Sequence, residues 1–573
     1  MDFKPLGFYF ALFVSLIFMG LTYLFFGFYF TEYEGLNIGL LSGSLTTDMP
    51  FRSVYFSGNL VISHFYSLLY EYCPGVEWIS WLEYFWMLIA CGLALHAMSM
   101  LLPVEFSIPT KVVVLAMLYL LVFADHQIHL IYTRVAYVIC GVSLICLSIF
   151  FSDVATIKNK FGWFVLLNLF FAIGTFIRNE AAIACFLLIL PFSLIYLKNT
   201  KHSLLLLSFP LLIVGGQSLF LATDIKNATN TEFYKQVEPD IEEQYIARGN
   251  LVPLSSMKTY RDTVMYQMAE EMTLSDPRLM TPTYLRSLIL PEKFMFTDSR
   301  QWQRAGKELK DILLQYWYLV LIVLLLNIAL FIQYDFHKQK LNWFYYLTFV
   351  FSFWVLVIAQ TYVDKVNERS WLPYIGLFIL SHILLLAKSI QYGIPRKIYP
   401  LLAIGMVLLV VHLYHLKTES NRLKENRNFQ QQQLQSVKAI ARNRVLAVNS
   451  SAFDFLFLSN KPFHPFNFSA FKKVYITDGY IIPFLPYYKR YLESECRCDI
   501  YAFPSFWKYL KTTQQQVVIV SQSYRLKAID NYLSEMHQLP LAVREIESFQ
   551  LEKLRKNYRQ ENADEFNIYE FDK

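Results

Sequence analysis

Residues 6–35 read LGFYFALFVSLIFMGLTYLFFGFYFTEYEG: an apolar run from Gly7 to Phe30, followed at once by two carboxylates, Glu32 and Glu34. A run of roughly 17–25 apolar residues is long enough to cross the hydrocarbon core of a bilayer. Two carboxylates at the end of a span cost several kcal/mol to hold near hydrocarbon unless they have a function. We therefore interpret the pair as a site of acid–base or metal chemistry.

The whole chain has the composition of a membrane protein. Of its 573 residues, 55% are hydrophobic and 17% are charged, whereas about a quarter of the residues of a soluble domain are charged. We expect a polytopic α-helical membrane protein of about 11 transmembrane helices with a C-terminal α/β domain. The predicted spans are 6–30, 80–102, 110–124, 135–151, 162–178, 181–197, 203–222, 313–333, 342–360, 371–387 and 399–416.

Basic residues in the short loops predict the orientation of these spans. If the spans alternate in direction, most loop lysines fall on one side, and the rule for positive residues assigns that side to the cytoplasm. The basic residues of that side are Lys4, Lys111, Lys158, Lys160, Lys198, Lys201, Lys338, Lys340, Lys388, Arg396 and Lys397. The N-terminus is then cytoplasmic, and the expected location is the inner or plasma membrane.

The same alternation defines the domains and places the conspicuous acids and bases on the outer face. Residues 1–416 form the transmembrane domain, with a first outer loop at 31–79 and a long outer loop at 223–312. Within the first loop, apolar residues recur at helical spacing over 59–72, which predicts a helix lying in the membrane interface. Residues 417–440 are predicted to form a helical stalk and 441–573 a soluble, extracytoplasmic α/β domain, with strands at 445–448, 474–476, 500–503 and 517–520.

Other classes of protein find less support. The net charge of +6 is spread over loops and a basic tail, with no arginine-rich groove, so we expect no nucleic-acid partner. Five of the seven cysteines lie in or beside apolar stretches and show no metal spacing. The chain contains no glycine-rich nucleotide loop, no G-x-S-x-G and no H-E-x-x-H.

Several motifs share one order along the chain and one predicted side of the membrane. They are the acidic pair after the first span, the Arg178-Asn179-Glu180 turn between two later spans, and Glu368-Arg369 ahead of a span that contains Pro373. In this order they resemble the GT-C superfamily of polytopic membrane glycosyltransferases. The resemblance covers residues 6–416; the C-terminal domain matches no module of that superfamily.

The resemblance implies a transferase that takes a sugar from a polyprenyl-phosphate carrier and passes it to a lipid, glycan or protein acceptor at the outer face. By position, Glu32 and Glu34 match the acidic motif of the first loop, where one acid is the base or a metal ligand. This chain has E-x-E where that motif has D-x-D or D-E, so which glutamate is the base stays open. A divalent Mg or Mn ion is the metal expected with them. Arg178 and Arg369 match the basic positions expected near the carrier phosphate.

Elementary chemistry agrees with these roles. An inverting sugar transfer needs a carboxylate to take the proton of the acceptor, and burial at a membrane boundary raises the pKa of a glutamate toward ambient pH. The departing lipid phosphate is an anion, which the fixed fork of an arginine stabilises.

Each candidate also has a purely structural interpretation. Glu32 and Glu34 could be a solvated helix end, and Asp48, the alternative catalytic acid, lies in a turn before Pro50. His64 and Arg134 are two further candidates for substrate binding. His64 could simply lie on the polar face of its helix, and Arg134, together with Asp125 and His126, could simply cap neighbouring helices. Glu180 could bind substrate or simply pair with Arg178, and Glu368 could pair with Arg369.

Three other functions compete with the transferase. A lipid or solute transporter or flippase would have paired repeats and charges at the bilayer midplane, and neither is evident in the sequence. A lipid-linked glycan polymerase or ligase would depend on Arg and His in the 223–312 loop. A scaffold without activity would leave the acids at the membrane rim unexplained.

Overall fold

The structure, a computed structural model, is dominated by long apolar helices. It describes residues 7–30, 60–103, 105–152, 159–197, 203–228, 252–270, 284, 287–288, 299–336, 343–362, 368–390, 395–449, 452–453, 456, 462–464, 468–477, 494, 503–513, 516–548 and 566–572. Within these ranges, nine helices are long and apolar enough to cross a membrane, and two shorter apolar helices accompany them.

A helix coincides with most of each predicted span, although the first helix ends at Phe26 and the span predicted at 313–333 begins in the preceding helix. In chain order these helices are α1 (Phe8–Phe26), α3 (Trp78–Leu101), α4 (Ile108–Val122), α6 (Tyr132–Phe150), α7 (Lys160–Ile177), α8 (Asn179–Leu197), α9 (Ser203–Ala228), α12 (Trp317–Phe336), α13 (Trp343–Tyr362), α14 (Glu368–Ile390) and α15 (Tyr399–Ile440). Shorter helices lie between them: α2 (Leu60–Tyr72), α5 (Ala124–Ile128), α10 (Tyr260–Glu270) and α11 (Ser299–Gln315).

Helix α6 is the centre of the helical bundle. Every residue of its apolar, membrane-length segment is buried, whereas only 28% of the residues in the corresponding segment of α1 are buried. The two segments have similar mean hydropathies, 1.9 for α6 and 2.1 for α1. Small residues allow its neighbours to approach: a Cβ added at Gly141 would lie only 2.3 Å from Leu377 of α14. Close approach of backbones at small residues is the usual way in which helices pack where water supplies no driving force.

Helix α2 has large side chains on both its buried and its exposed face, and Tyr66 and Tyr70 are buried. Val61, Phe65 and Tyr72 are exposed, whereas Ser63 and Ser67 are fully buried. The face of α2 that carries Val61, Phe65 and Tyr72 is thus at the surface of the described residues.

The end of α1 is shaped by a glycine. Gly27 has a φ of +81°, a conformation that L side chains rarely adopt, and it ends the helix. The chain then forms a two-residue strand, β1 (Tyr29–Phe30), which pairs in parallel with β2 (His129–Leu130). This pairing fixes the last described residue before the first loop against the segment that joins α4 to α6.

Helix α15 continues past the bundle as a single rod of 42 residues that includes the predicted stalk. Lys417 Nζ donates a hydrogen bond to the carbonyl oxygen of Phe25 over 3.0 Å, and Ser420 donates one to the carbonyl oxygen of Phe26. Farther along, the guanidinium of Arg427 lies 4.9 Å from the ring centre of Tyr29. The rod is therefore attached to the same end of α1 from which the first loop leaves.

The C-terminal region contains a five-stranded sheet with the order β4-β3-β5-β7-β6. Its strands are β3 (Val445–Val448), β4 (Lys473–Ile476), β5 (Val517–Gln522), β6 (Val543–Ser548) and β7 (Phe566–Phe571), with helices α16 (Phe503–Thr512) and α17 (Ser523–His537) between them. Strands β4, β3 and β5 are parallel, and β7 runs antiparallel to β5 and β6.

One expectation for this region was wrong at one residue, and one strand was not predicted. The strand expected at 500–503 does not include Phe503, which begins α16, and residues 500–502 lie outside the described part of the chain. The last residues include β7, which the sequence did not predict and whose Ile568 is fully buried. Strand β7 is an inner strand of the sheet, so its backbone groups are paired on both sides.

Candidate functional site

The candidate site lies at the end of the bundle where α1 and α4 finish and α6 begins. The parallel pairing places Tyr29 opposite His129 and Phe30 opposite Leu130. Glu32 follows Phe30 by only two residues in sequence. The first loop therefore starts beside the segment that carries Asp125 and His126.

Asp125 and Arg134 form a buried ion pair at this end. Arg134 Nη1 donates to Asp125 Oδ2 over 2.7 Å, and the two side chains are only 4% and 14% exposed. His129 Nδ1 lies 3.2 Å from the other carboxylate oxygen of Asp125. Burial by itself raises the pKa of the Asp125 carboxyl, but the positive charge of Arg134 and the contact with His129 outweigh it and hold this pKa well below its usual range. Asp125 is therefore a fixed anion.

The short helix α5 is anchored to the bundle by Gln127. Its backbone carbonyl accepts a hydrogen bond from the hydroxyl of Tyr84 in α3 over 3.0 Å, and its side-chain oxygen accepts one from the hydroxyl of Tyr119 in α4. Tyr119 is in turn 2.7 Å from the hydroxyl of Thr22 in α1. These bonds connect α1, α3 and α4 to the loop that carries the ion pair, so the position of Asp125 is set by three helices.

His126, next to the ion pair, is 3% exposed. Its burial and the neighbouring charge of Arg134 lower the pKa of its imidazole to about 3. The ring is therefore neutral at ordinary pH. Gly376 of α14 permits this placement, because a Cβ added there would lie 3.3 Å from His126 Nε2.

Arg178 lies between α7 and α8, and it contacts the first residues of α6. Its Nη1 donates to Thr133 Oγ1 over 3.0 Å and to the hydroxyl of Tyr132 over 3.3 Å. Its Nε is 3.7 Å from the carboxylate of Glu180, and the two side chains are 30% and 68% exposed. Since Thr133 immediately precedes Arg134, both arginines lie at the same end of α6, one buried and one partly open to solvent.

A second buried acid, Glu77, lies at the same end of the bundle. One carboxylate oxygen accepts a hydrogen bond from the hydroxyl of Tyr70, and the other accepts one from the backbone nitrogen of Ser80 over 2.8 Å. Burial raises the pKa of this carboxyl, and the hydrogen bonds only partly offset the shift. Glu77 thereby caps the N-terminus of α3, although glutamate is not one of the residue types preferred at that position, so this role has no signal in the sequence.

The C-terminal region reaches this end too. The ring of Phe463 lies 4.8 Å from Trp81, 5.0 Å from Tyr84 and 6.4 Å from Phe28, measured between ring centres. Tyr84 is the residue that anchors α5. The aromatic contact therefore joins the C-terminal region to the helices that carry the candidate site.

The structure brings together some of the residues predicted from sequence and leaves others untested. Arg134, Arg178 and Glu180 lie at one end of the bundle, as described above, and His64 is exposed on α2. The remaining predicted residues, Glu32, Glu34, Asp48 and the side chain of Arg369, lie outside the described residues. Among the residues that the structure describes, no group of three or more His, Cys, Asp or Glu side chains could hold a metal ion.

A cleft opens beside the ion pair, between α4, α5, α12, α14 and α15. It is narrow, with room for about one water, and its polar lining consists of Asp125, His126, His412, Tyr316 and Tyr318. The rest is largely aliphatic. His412 was not singled out from the sequence because it lies within an apolar span, where a lone histidine carries no recognisable pattern.

Comparison of the chain with protein-family models, curated proteins and solved structures found no significant match. The class of protein that the structure defines is thus a largely helical chain with helices suited to a membrane and a small sheet in its C-terminal region.

Proposed function

We propose that this chain is an integral membrane glycosyltransferase that moves a sugar from a polyprenyl-phosphate donor to an acceptor at the outer face. The N-terminus is cytoplasmic in this proposal, and the C-terminal domain is extracytoplasmic. The observation that carries most weight is the pairing of Tyr29–Phe30 with His129–Leu130, which starts the E-x-E loop beside the buried ion pair and near Arg178.

In the proposed reaction, the acceptor hydroxyl attacks the anomeric carbon of the sugar while the bond from that carbon to the phosphate oxygen breaks. Glu32 or Glu34 takes the hydroxyl proton as general base, and the polyprenyl phosphate leaves with the electron pair. The carboxylate oxygens of the two glutamates are hard ligands, which would suit an Mg or Mn ion.

Arg178 supports this proposal through its exposure. Its guanidinium is held by Thr133 and by Tyr132 yet stays 30% exposed, so it combines a fixed position with access for a ligand. A preorganised cation needs no rearrangement when the phosphate charge develops. Arg134, by contrast, forms a buried ion pair with Asp125 and is therefore the less suitable phosphate ligand.

The test is sugar transfer by the purified full-length chain with radiolabelled polyprenyl-phosphate sugars and a membrane extract. Removing the general base should slow transfer about 10²–10⁴-fold in Glu32→Gln or Glu34→Gln. The matched control is Glu105→Gln, an exposed acid between α3 and α4 at the predicted cytoplasmic end. Normal transfer by the Glu32→Gln, Glu34→Gln double variant would exclude the pair as catalytic groups.

The same assay tests for a metal. If the two glutamates are a ligand set, EDTA should abolish transfer, and added Mg or Mn should restore it. Unchanged transfer in EDTA assigns the glutamates to proton transfer alone.

A further inference from the structure

The exit segment, residues 25–30, joins the last turn of α1 to the first loop. Its carbonyl groups at Phe25 and Phe26 belong to the end of α1, and the last four carbonyls of a helix have no partner within the helix. Lys417 Nζ donates a hydrogen bond to the first of these carbonyls over 3.0 Å, and Ser420 Oγ donates one to the second. The stalk part of α15 therefore supplies partners for the end of α1.

The side chains of the exit segment contact the C-terminal part of the chain as well. The guanidinium of Arg427 lies 4.9 Å from the ring centre of Tyr29, a distance at which a cation is attracted to the face of an aromatic ring. The ring of Phe463 lies 6.4 Å from that of Phe28, measured between ring centres. The stalk and the C-terminal region thus contact both the backbone and the side chains of the exit segment.

The three stalk residues lie on one side of α15. Lys417, Ser420 and Arg427 are spaced by three and seven residues, which places them along one stripe of an α-helix. Ser420 is 3% exposed, and Nε of Arg427 is buried. The side of the stalk that contacts the exit segment is therefore closely packed at Ser420 and partly buried at Arg427.

This attachment acts a short distance from the candidate base. Glu32 follows Tyr29 by three residues, and a chain spans at most about 3.6 Å per residue, so the Cα atoms of these two residues are no more than about 11 Å apart. Phe30 also pairs with Leu130 of β2, so β2 and the stalk both fix the exit segment. A misplacement of about 1 Å can slow catalysis about 10²-fold. The position of the exit segment therefore matters to any chemistry at Glu32.

We propose that the stalk fixes the exit segment and thereby sets the position of the E-x-E glutamates, with Ser420 and Arg427 as positioning residues. The consequence for catalysis rests on the proposed transferase function, whereas the attachment itself does not. Because the carrier phosphate is assigned to Arg178 and Arg369, loss of the attachment should lower kcat and leave the KM for the sugar donor unchanged. A displacement of the stalk would then change the rate of transfer and not the affinity for the donor.

The first measurement is amide hydrogen exchange of residues 23–30 in the purified full-length chain in detergent, without any sugar donor. Exchange should become about three- to tenfold faster in Ser420→Ala and in Arg427→Gln, because each variant loses one contact with the exit segment. Arg427→Lys keeps the cation, so its exchange should stay closer to that of the wild type. The matched controls Asn421→Ala and Lys424→Gln change exposed residues of the same rod, and they should exchange as the wild type does.

The second measurement is the rate of sugar transfer by the same preparations at increasing donor concentration. In the Ser420→Ala, Arg427→Gln double variant, kcat should fall about 10- to 100-fold, and the KM for the polyprenyl-phosphate sugar should stay within about twofold. Arg427→Lys should recover part of the loss relative to Arg427→Gln. The two control variants should transfer sugar at the wild-type rate.

Three results would overturn the proposal. They are wild-type exchange in both single variants, faster exchange with an unchanged kcat, and a loss of transfer that appears only as a higher KM. If the wild-type chain transfers no sugar while the variants exchange faster, the proposed function fails and the attachment is confirmed. The two single variants remove separate contacts, so the exchange measurement remains decisive if the double variant does not fold.

Discussion

Two ion pairs lie at the same end of the helical bundle and differ in almost every respect that matters for function. Asp125 and Arg134 are 2.7 Å apart and nearly buried, at 14% and 4% exposure. Arg178 and Glu180 are 3.7 Å apart, and their side chains are 30% and 68% exposed. Both pairs contain the residue types that would be named as substrate ligands from sequence alone.

The difference in burial separates structural from binding roles. A buried pair is held by mutual attraction in a medium of low dielectric constant, and loss of one partner leaves the other charge uncompensated. An exposed pair is screened by water and contributes little to stability. We infer that Asp125 and Arg134 maintain the shape of this end of the bundle. Arg178 is the more exposed of the two arginines, and it is the one that the proposed function assigns to the carrier phosphate.

The largest expected effect is on stability and concerns the buried pair. Arg134→Gln removes the arginine that holds the pKa of Asp125 down, so a buried carboxylate is left beside His129 and His126 without the guanidinium. We expect a loss of about 3–5 kcal/mol, the usual range for breaking a buried pair, visible as a lower melting temperature of the purified chain in detergent.

A double-mutant cycle checks that the loss comes from the pair. The Asp125→Asn, Arg134→Gln double variant should be less destabilised than the sum of the single variants, because no charge is left unpaired. Additive losses would contradict the interpretation and would show that the two side chains act independently.

The next effect concerns activity and belongs to the exposed pair. In Arg178→Gln we expect the rate of sugar transfer to fall about 10²-fold, which corresponds to a rise of roughly 2.7 kcal/mol in the activation free energy. This is the usual cost of losing one preorganised hydrogen-bond donor to a developing anion. The melting temperature should stay close to that of the wild type. Arg178→Lys keeps the charge but loses the fork that reaches Thr133 and Tyr132, so partial recovery is expected.

The roles of the two arginines are exchanged if the buried Arg134, and not Arg178, is the phosphate ligand. In that case Arg134→Lys would fold normally and lose transfer, while Arg178→Gln would keep it. Measuring melting temperature and transfer on the same preparations separates the two outcomes.

The buried pair also predicts a pH dependence through its neighbour His126. In the unfolded chain this histidine takes up a proton below about pH 6.5, whereas in the folded chain its pKa is lowered to about 3. Between these values the unfolded state binds more protons, so stability should fall as the pH falls, by up to about 1.4 kcal/mol per pH unit. The groups that act on its pKa are Arg134, Asp125, His129 and His412.

Asp125 contributes in a lower window, because its folded pKa lies well below its usual value of about 3.9. Its stabilisation is present above that value and is lost as the pH falls further. The contribution of His126 to the melting temperature therefore falls between pH 6.5 and 4, where the buried His382 and His412 can add to it. His126→Phe should reduce the slope in that range by the share of one histidine, and the exposed His64→Gln should leave it unchanged. An unaltered slope in His126→Phe would contradict the role assigned to His126.

The sequence was sufficient to place the helices but not to say which of them lie inside. Length and hydropathy locate spans because a bilayer demands about 20 apolar residues in a row. They do not distinguish α1 from α6, which have similar hydropathy and opposite burial. The difference in burial depends on small residues such as Gly141, which let a neighbouring helix approach closely. Whether a small residue does so depends on the side chain that faces it from the neighbouring helix.

The ion pair of Asp125 and Arg134 was recognisable only in part. Both residues were noted, but they are nine residues apart, and the chain between them passes through a short helix and a short strand, so no periodicity relates them. Strand β7 was missed for a similar reason: FNIYEF follows an acidic, charged stretch and gains its partners β5 and β6 only from distant parts of the chain. Pairing between distant segments therefore could not be predicted, because the local sequence pattern carries no information about it.

The smallest expected effect tests the claim that the exposed pair is not structural. In Glu180→Gln we expect a change in stability of no more than about 1 kcal/mol, since the carboxylate is 68% exposed and lies 3.7 Å from Arg178 Nε. Removing this anion should also favour an anionic ligand at Arg178, so the concentration of polyprenyl-phosphate sugar that gives half-maximal transfer should decrease or stay the same. A marked increase in that concentration, with the melting temperature unchanged, would assign Glu180 itself to substrate binding. It would then make the exposed pair, and not Arg178 alone, the ligand-facing element at this end of the bundle.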